Sequence, residues 1–306
     1  MVDERMLLTT EAVELVCAWT QRLAEAHGLR ALIIKGATLH RQELRLPRSS
    51  SDVDLLVAPA DFEALCDALV QAGWGERDTG FLMGSVPLHS RTFIAEGWPC
   101  DIDVHARFPG FLTDDHTVFE VLWERRVTMT FAGQPCAVPD RVCSALILAL
   151  HSLRSTREQA RHDAELNQMY RAVFTPSEQR DLVAVAARTG SAEALENVLP
   201  RIGLTVPESV ADVDPVALRS WKERVGLRDH GLGTYDLIRA LREAPLRRKP
   251  HMLWRAIWPS DHDLDTLRPG VPHDSKARNA ARWDRLRKGV VAFPQVVRAT
   301  LRHRTR

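Results

Sequence analysis

The chain has 306 residues, with 41 Lys/Arg against 40 Asp/Glu, so its formal charge of +1 favours neither nucleic acid nor membrane as a partner. Apolar and charged fractions of 45% and 26% are those of an ordinary soluble globular protein, and the longest apolar runs, such as ALILAL at 145–150, are far short of a membrane span. Five cysteines without a C-x-x-C pair argue against a disulfide framework or a thiolate zinc site, and the acidic start MVDERMLLTT has no signal-peptide core, so the expected setting is the cytoplasm.

In chain order, residues 10–27 read as a helix. Val13, Val16, Cys17 and Leu23 form the apolar side, Thr9-Thr10 and Glu11 mark the start, and Gly28 the end. ALIIKG (31–36) is a buried strand stopped by glycine, followed by a short helix in ATLHRQEL. VDLLVAP (53–59) is a second strand closed by Pro59. Phe62, Leu65, Cys66, Leu69 and Val70 then fall on one helical face, with Gly73 as the stop. HSRTFIAEGWPCDIDVHARF predicts two strands joined near Gly97-Trp98-Pro99, and RVTMTFAGQPCAVP a hairpin. From 140 to about 260 the pattern is helical, with loop signals at Thr175-Pro176, Gly190, 200–216 and Gly231-Gly233.

The chemistry concentrates in RSSSDVDLLV. Asp52 and Asp54 are two apart, so in a strand they share a face. Asp101 and Asp103 in CDIDVH repeat the spacing, and His105 continues that face. Three or four carboxylates on one sheet edge require raised pKa values or a divalent cation, and hard oxygen ligands suit Mg²⁺ or Mn²⁺. A single D-x-D fits local turn chemistry equally well. Leu55-Leu56 after Asp54 excludes an EF-hand loop. Lys35-Gly36 closes a strand and opens a helix, where backbone N–H groups can meet an anion. Arg48 lies four residues before Asp52, within reach of phosphate or of the acids.

The ordered string LIIKGATLHRQEL…RSSSDVDLLV…CDIDVHARF resembles the nucleotidyltransferases of the DNA polymerase β superfamily. It resembles more closely a bacterial group known as nucleotidyltransferase family proteins, in which a K-G turn, an arginine four before D-x-D and a later D-x-H recur. The similarity covers residues 10–170 well and 235–265 loosely. It implies an α+β fold, a mixed polymerase β-like sheet with flanking helices followed by an all-helical domain. It further implies Asp52, Asp54 and Asp103 as metal-binding and catalytic carboxylates, with Asp101 the competitor of Asp103. Lys35, Gly36, Arg48, Ser51 and His105 would contact the nucleotide, and Mg²⁺ or Mn²⁺ with an NTP, ATP first among them, would be the cofactor and substrate. Ala37 stands where the superfamily often has a second Gly or a Ser, and Ser49, Ser50 and Ser51 are replacement donors.

The expected divisions are a catalytic domain at 1–138, a helical domain at 139–265 and a basic segment at 266–306. In the helical domain His151, Arg154, Arg157, Arg161, His162 and Asp163 read first as a solvated face with a satisfied histidine, and second as a rim for nucleotide or acceptor. Trp254 and Trp258 read as core. Residues 276–306 carry ten Lys/Arg against one acid, Asp284, in an amphipathic helix broken at Pro294, which reads first as a charged surface helix packed through Trp283, Leu286 and Val290. An acidic partner or a membrane surface suits that segment better than nucleic acid. The function expected is metal-dependent transfer of a nucleoside monophosphate to an acceptor hydroxyl of a small molecule or peptide. A protein-modifying AMP transferase and a non-catalytic NTP-binding regulator are the alternatives.

Overall fold

The computed structural model describes residues 7–78, 89–155, 158–207, 212–227, 232–267 and 271–302. Arg157 and Gly231 lie outside them. Helix α1 (Thr9–Ala26) leads into β1 (Ala31–Ile34), the six-residue α2 (Gly36–Arg41) and β2 (Asp52–Val57). Helix α3 (Phe62–Gln71), β3 (Gly75–Glu76), β4 (Ser90–Ile94) and β5 (Asp101–His105) complete a five-stranded sheet of order β1-β2-β5-β4-β3. β2 and β5 are parallel, while the β1–β2, β4–β5 and β3–β4 pairs are antiparallel. The sheet is therefore mixed and the fold α+β. Helix α4 (Asp115–Glu124) precedes the predicted hairpin, β6 (Arg126–Phe131) with β7 (Gln134–Pro139), which forms its own two-stranded sheet.

Every described element after β7 is helical. They are α5 (Arg141–Arg154), α6 (Gln159–Arg171), α7 (Pro176–Arg188), α8 (Ser191–Ala194), a 3₁₀ turn at Leu199–Ile202 and α9 (Pro215–Gly226), then α10 (Leu232–Glu243), α11 (Lys249–Ile257), α12 (Asp261–Leu267) and α13 (Ser275–Arg302). The chain divides into two compact units, 1–77 with 89–221, and 78–88 with 222–306. Among the described residues no helix is long and apolar enough to cross a membrane.

Strand alternation decides what each face of the sheet does. Val53, Leu55 and Val57 of β2, with Ile102 and Val104 of β5, join α1, α3 and the hairpin in one buried apolar cluster. The intervening residues of β2 and β5 take the opposite face, and these include the acids. Several local expectations change. Helix α1 starts at Thr9 with Leu8 as its N-cap, and Glu11 accepts the Leu8 N–H at 3.1 Å, so the acid does the capping. Val70 sits at the rim of the α3 stripe and is exposed, whereas Leu65, Cys66 and Leu69 are buried. Gly233 lies inside α10, and α13 runs through Pro294 as one helix. Trp254 is 63% exposed: α11 packs through Met252, and two positions on a helix reach its far side.

Gly110, between the buried rings of Phe108 and Phe111, holds φ +103°. A Cβ there would come within 2.5 Å of the Leu150 side chain and 2.8 Å of the Trp221 ring. Gly110→Ala is expected to cost about 2–4 kcal/mol, from backbone strain together with overpacking. The measurement is the urea midpoint, which falls at an unchanged far-UV spectrum.

Candidate active site

β2 and β5 pair in register, so Asp52 lies opposite Asp101, Asp54 opposite Asp103 and Leu56 opposite His105. Ligand atoms of Asp54, Asp103 and His105 all lie within 4.8 Å of one another, a spacing that one divalent cation can bridge. Asp52 stands one pleat back toward the mouth of the strands.

Asp54 is the hub and is 4% exposed. Its Oδ1 accepts from His105 Nε2 at 2.8 Å and is ion-paired with Lys35 Nζ. Burial would raise its pKa, but Lys35 and His105 outweigh burial and hold the carboxyl well below the usual range. Burial pushes His105 down to about 4 despite the pull of Asp54, so the ring is neutral and donates its Nε2–H. Its Nδ1 is buried with no hydrogen-bond partner. Asp103 is pushed up to about 6, by burial first and then by the charge of Asp54, although Thr92 Oγ1 donates to its Oδ1 at 2.6 Å. Burial and Asp54 also raise Asp52, which accepts from Ser50 Oγ at 2.9 Å.

Lys35 reaches this cluster from a backbone at φ 59°, ψ −145°, close to a region that side-chain-bearing residues occupy at a cost of about 1–3 kcal/mol. Its carbonyl accepts from Thr38 Oγ1 at 2.5 Å and from Thr38 N at 3.1 Å, which fixes the turn. Gly36 follows at φ +51°. Lys35 Nζ lies 5.8 Å from the centre of the Phe108 ring, and the Arg154 guanidinium carbon lies at the same distance from that ring.

The structure thus brings Lys35, Asp52, Asp54, Asp103 and His105 together. Asp101 turns to Arg77, whose Nη2 donates to it at 2.8 Å. Ser51 is exposed, and its carbonyl accepts the Asp101 N–H at 3.2 Å. Arg48 donates from Nε to Glu165 Oε1 on α6 at 2.9 Å. The buried Arg45 bonds the same oxygen at 3.3 Å and the Gly36 carbonyl at 2.6 Å, so Glu165 ties the Lys35-Gly36 turn to the helices. His162 Nδ1 lies 3.3 Å from the other Glu165 oxygen. The His162 ring meets His151 edge-on at 4.9 Å, and burial, then Lys35, keeps His151 neutral. Arg154 Nη1 meets His89 Nε2 at 3.1 Å, and the His89 and His105 rings are 5.9 Å apart. His151, Arg154 and His162 therefore belong with the carboxylate cluster rather than on a solvated face. Thr92, Arg45, Glu165 and His89 carry no motif; Thr92 becomes visible only through its register opposite Asp103.

A family model described as an uncharacterised nucleotidyltransferase matches residues 4–204. The chain belongs to that family. Among solved structures it is similar to an antigenic nucleotidyltransferase-like protein from Paracoccidioides brasiliensis, at 12% identity over 67% of this chain and 98% of that one, with a TM-score of 0.40. No curated protein matches it.

Two predictions test the electrostatics. Glu165→Gln removes the carboxylate between two arginines, one of them buried, and is expected to cost about 3 kcal/mol, read as a lower thermal midpoint. Asp103 has a folded pKa above its unfolded value, so its contribution to stability is present below about pH 4 and lost as pH rises through about 6. In the metal-free protein, Asp103→Asn should therefore raise the thermal midpoint at pH 7.5, by at most about 3 kcal/mol in stability. The gain should vanish near pH 4.

Proposed function

We propose that the chain is a cytoplasmic enzyme that transfers a nucleoside monophosphate from an NTP, ATP first among them, to an acceptor hydroxyl of a small molecule or peptide. The acceptor O–Pα bond forms, the bond from Pα to the departing pyrophosphate breaks, and the acceptor proton passes to Asp103. The observation that carries this reading is the register of β2 against β5, which sets Asp54 beside Asp103 with Lys35 at their head, in a chain of this family.

The donor set fits a divalent ion. Asp54 and Asp103 offer hard oxygens within bridging distance, Asp52 adds a third carboxylate, and their mutual repulsion is what a cation relieves. Asp52, Asp54 and Asp103 would hold it. When bound, Mg²⁺ or Mn²⁺ supplies Lewis-acid neutralisation of charge on the transferring phosphoryl group.

The remaining work falls to the chain itself. Asp103, opposite Asp54 in the strand register, is the carboxylate placed to accept the acceptor proton. Neutral His105 fixes the orientation of Asp54 through Nε2. Lys35 would hold the phosphates by charge-assisted bonds, joined by Arg48 on release from Glu165, with Gly36 allowing close backbone approach and Ser51 donating its hydroxyl. On this reading residues 1–138 carry the chemistry, and 139–265 supply the cationic wall of Arg154 and Arg161.

The test is incubation with each labelled NTP and Mg²⁺ or Mn²⁺, with and without lysate as a source of acceptor. Pyrophosphate release is expected, and the labelled product identifies the acceptor. Asp54→Asn and Asp103→Asn should each lower the rate about 10³-fold or more with the fold intact. Full activity in either variant would sink the assignment.

A further inference from the structure

The near-zero net charge of the chain hides a partition. Residues 222–306, the bulk of the second compact unit, carry 20 Lys/Arg against 9 Asp/Glu, a formal +11, whereas residues 1–221 carry 21 against 31, a formal −10. Within the second unit α13 buries one face through Arg278, Ala281 and Val296. Trp283, Leu286, Val290 and Phe293 form a second stripe about 120° round the helix from that face by helical spacing. Trp283, Val290 and Phe293 are 61%, 65% and 53% exposed. Trp258 of α11 meets Trp283 edge-on at 6.0 Å, and Trp254, one turn before it, is exposed too. The apolar surface is thus shared by two helices, as scattered single residues would not be.

Its borders are basic. Lys276 and Arg287 on α13, with Arg247 and Arg248 at the start of α11, are exposed. The one acid within α13, Asp284, is bonded to Lys288 at 2.9 Å. We propose that this surface docks on an anionic phospholipid bilayer, with the tryptophans, Val290 and Phe293 entering the headgroup–acyl boundary and the arginines and lysines meeting lipid phosphates. The chemistry selects this occupant. A nucleic-acid backbone would satisfy the cations and leave the aliphatic stripe without a partner. A second copy would cover the stripe and set one basic border against another, with no free acid on the helix to offset it.

The experiment uses the full chain and sucrose-loaded vesicles of phosphatidylcholine, alone or with one-third phosphatidylglycerol, at physiological salt. The protein is expected to sediment with the anionic vesicles and stay in solution with the neutral ones. Arg287→Gln with Lys276→Gln should weaken binding about 30-fold, from ~1 kcal/mol for each charge. Trp283→Ser with Phe293→Ser should abolish it at an unchanged melting temperature. Should that pair unfold, brominated acyl chains provide the second readout: they should quench wild-type tryptophan fluorescence and quench Trp283→Phe less. No sedimentation, equal sedimentation with neutral vesicles, or equal quenching overturns the proposal. So does retention on polyuridylate in place of vesicles, or a homodimer that the Trp283 and Phe293 substitutions dissociate.

Discussion

Three carboxylates on one face of two adjacent parallel strands are the constraint around which the first compact unit is arranged. Packing supplies the scaffold: Val53, Leu55, Ile102 and Val104 are drawn into the core, and alternation then forces Asp52, Asp54 and Asp103 to share the other face. Repulsion among them is answered locally. Lys35 and a neutral His105 converge on one oxygen of Asp54, and the hydroxyls of Thr92 and Ser50 serve Asp103 and Asp52. That division leaves Asp54 firmly ionised and Asp103 near 6, so two adjacent carboxylates acquire different chemistry from different neighbours.

The strained backbone of Lys35 belongs to the same arrangement. A lysine in a conformation better suited to glycine persists only where its surroundings over-determine it, and here both ends are held. Its carbonyl is bound by Thr38 and its ammonium by Asp54. The following carbonyl, of Gly36, is taken by Arg45, which Glu165 anchors from α6. The turn that faces the acids is thereby braced from both the sheet and the helices.

Much of this was legible in the sequence, and the missing part has a common cause. β1, β2, β4, β5 and the hairpin follow from apolar runs and glycine or proline stops, because local pattern decides them. Period-two spacing puts Asp52 with Asp54 and Asp101 with Asp103 and His105, and the family resemblance picks Asp103 from the second set. What stayed hidden depends on pairing between distant segments. Asp101 looks equivalent to Asp103 until Arg77 is seen to occupy it. Arg48 looks directed at the acids until Glu165 claims it. His151 and the arginine after it look like a helix face until α5 brings them to Lys35 and Phe108. Trp254 looks like core because tryptophan at helical spacing usually is, and only the packing of Met252 shows which side of α11 is inside.

Charge is where local and global readings diverge most. A unit with an excess of nine acids would repel a polyanion if its charge were spread evenly. At physiological salt, however, exposed charges are screened beyond about 8 Å, so the approach to the strand mouths is governed by what stands near them. There the cations of Lys35, Arg45, Arg48, Arg154 and Arg161 cluster against Asp52, Asp54, Asp103 and Glu165, close to balance before any divalent ion enters. A centre so close to balance would take up an anion and a divalent cation together at lower cost than either alone, which would leave an uncompensated charge in a partly dry site.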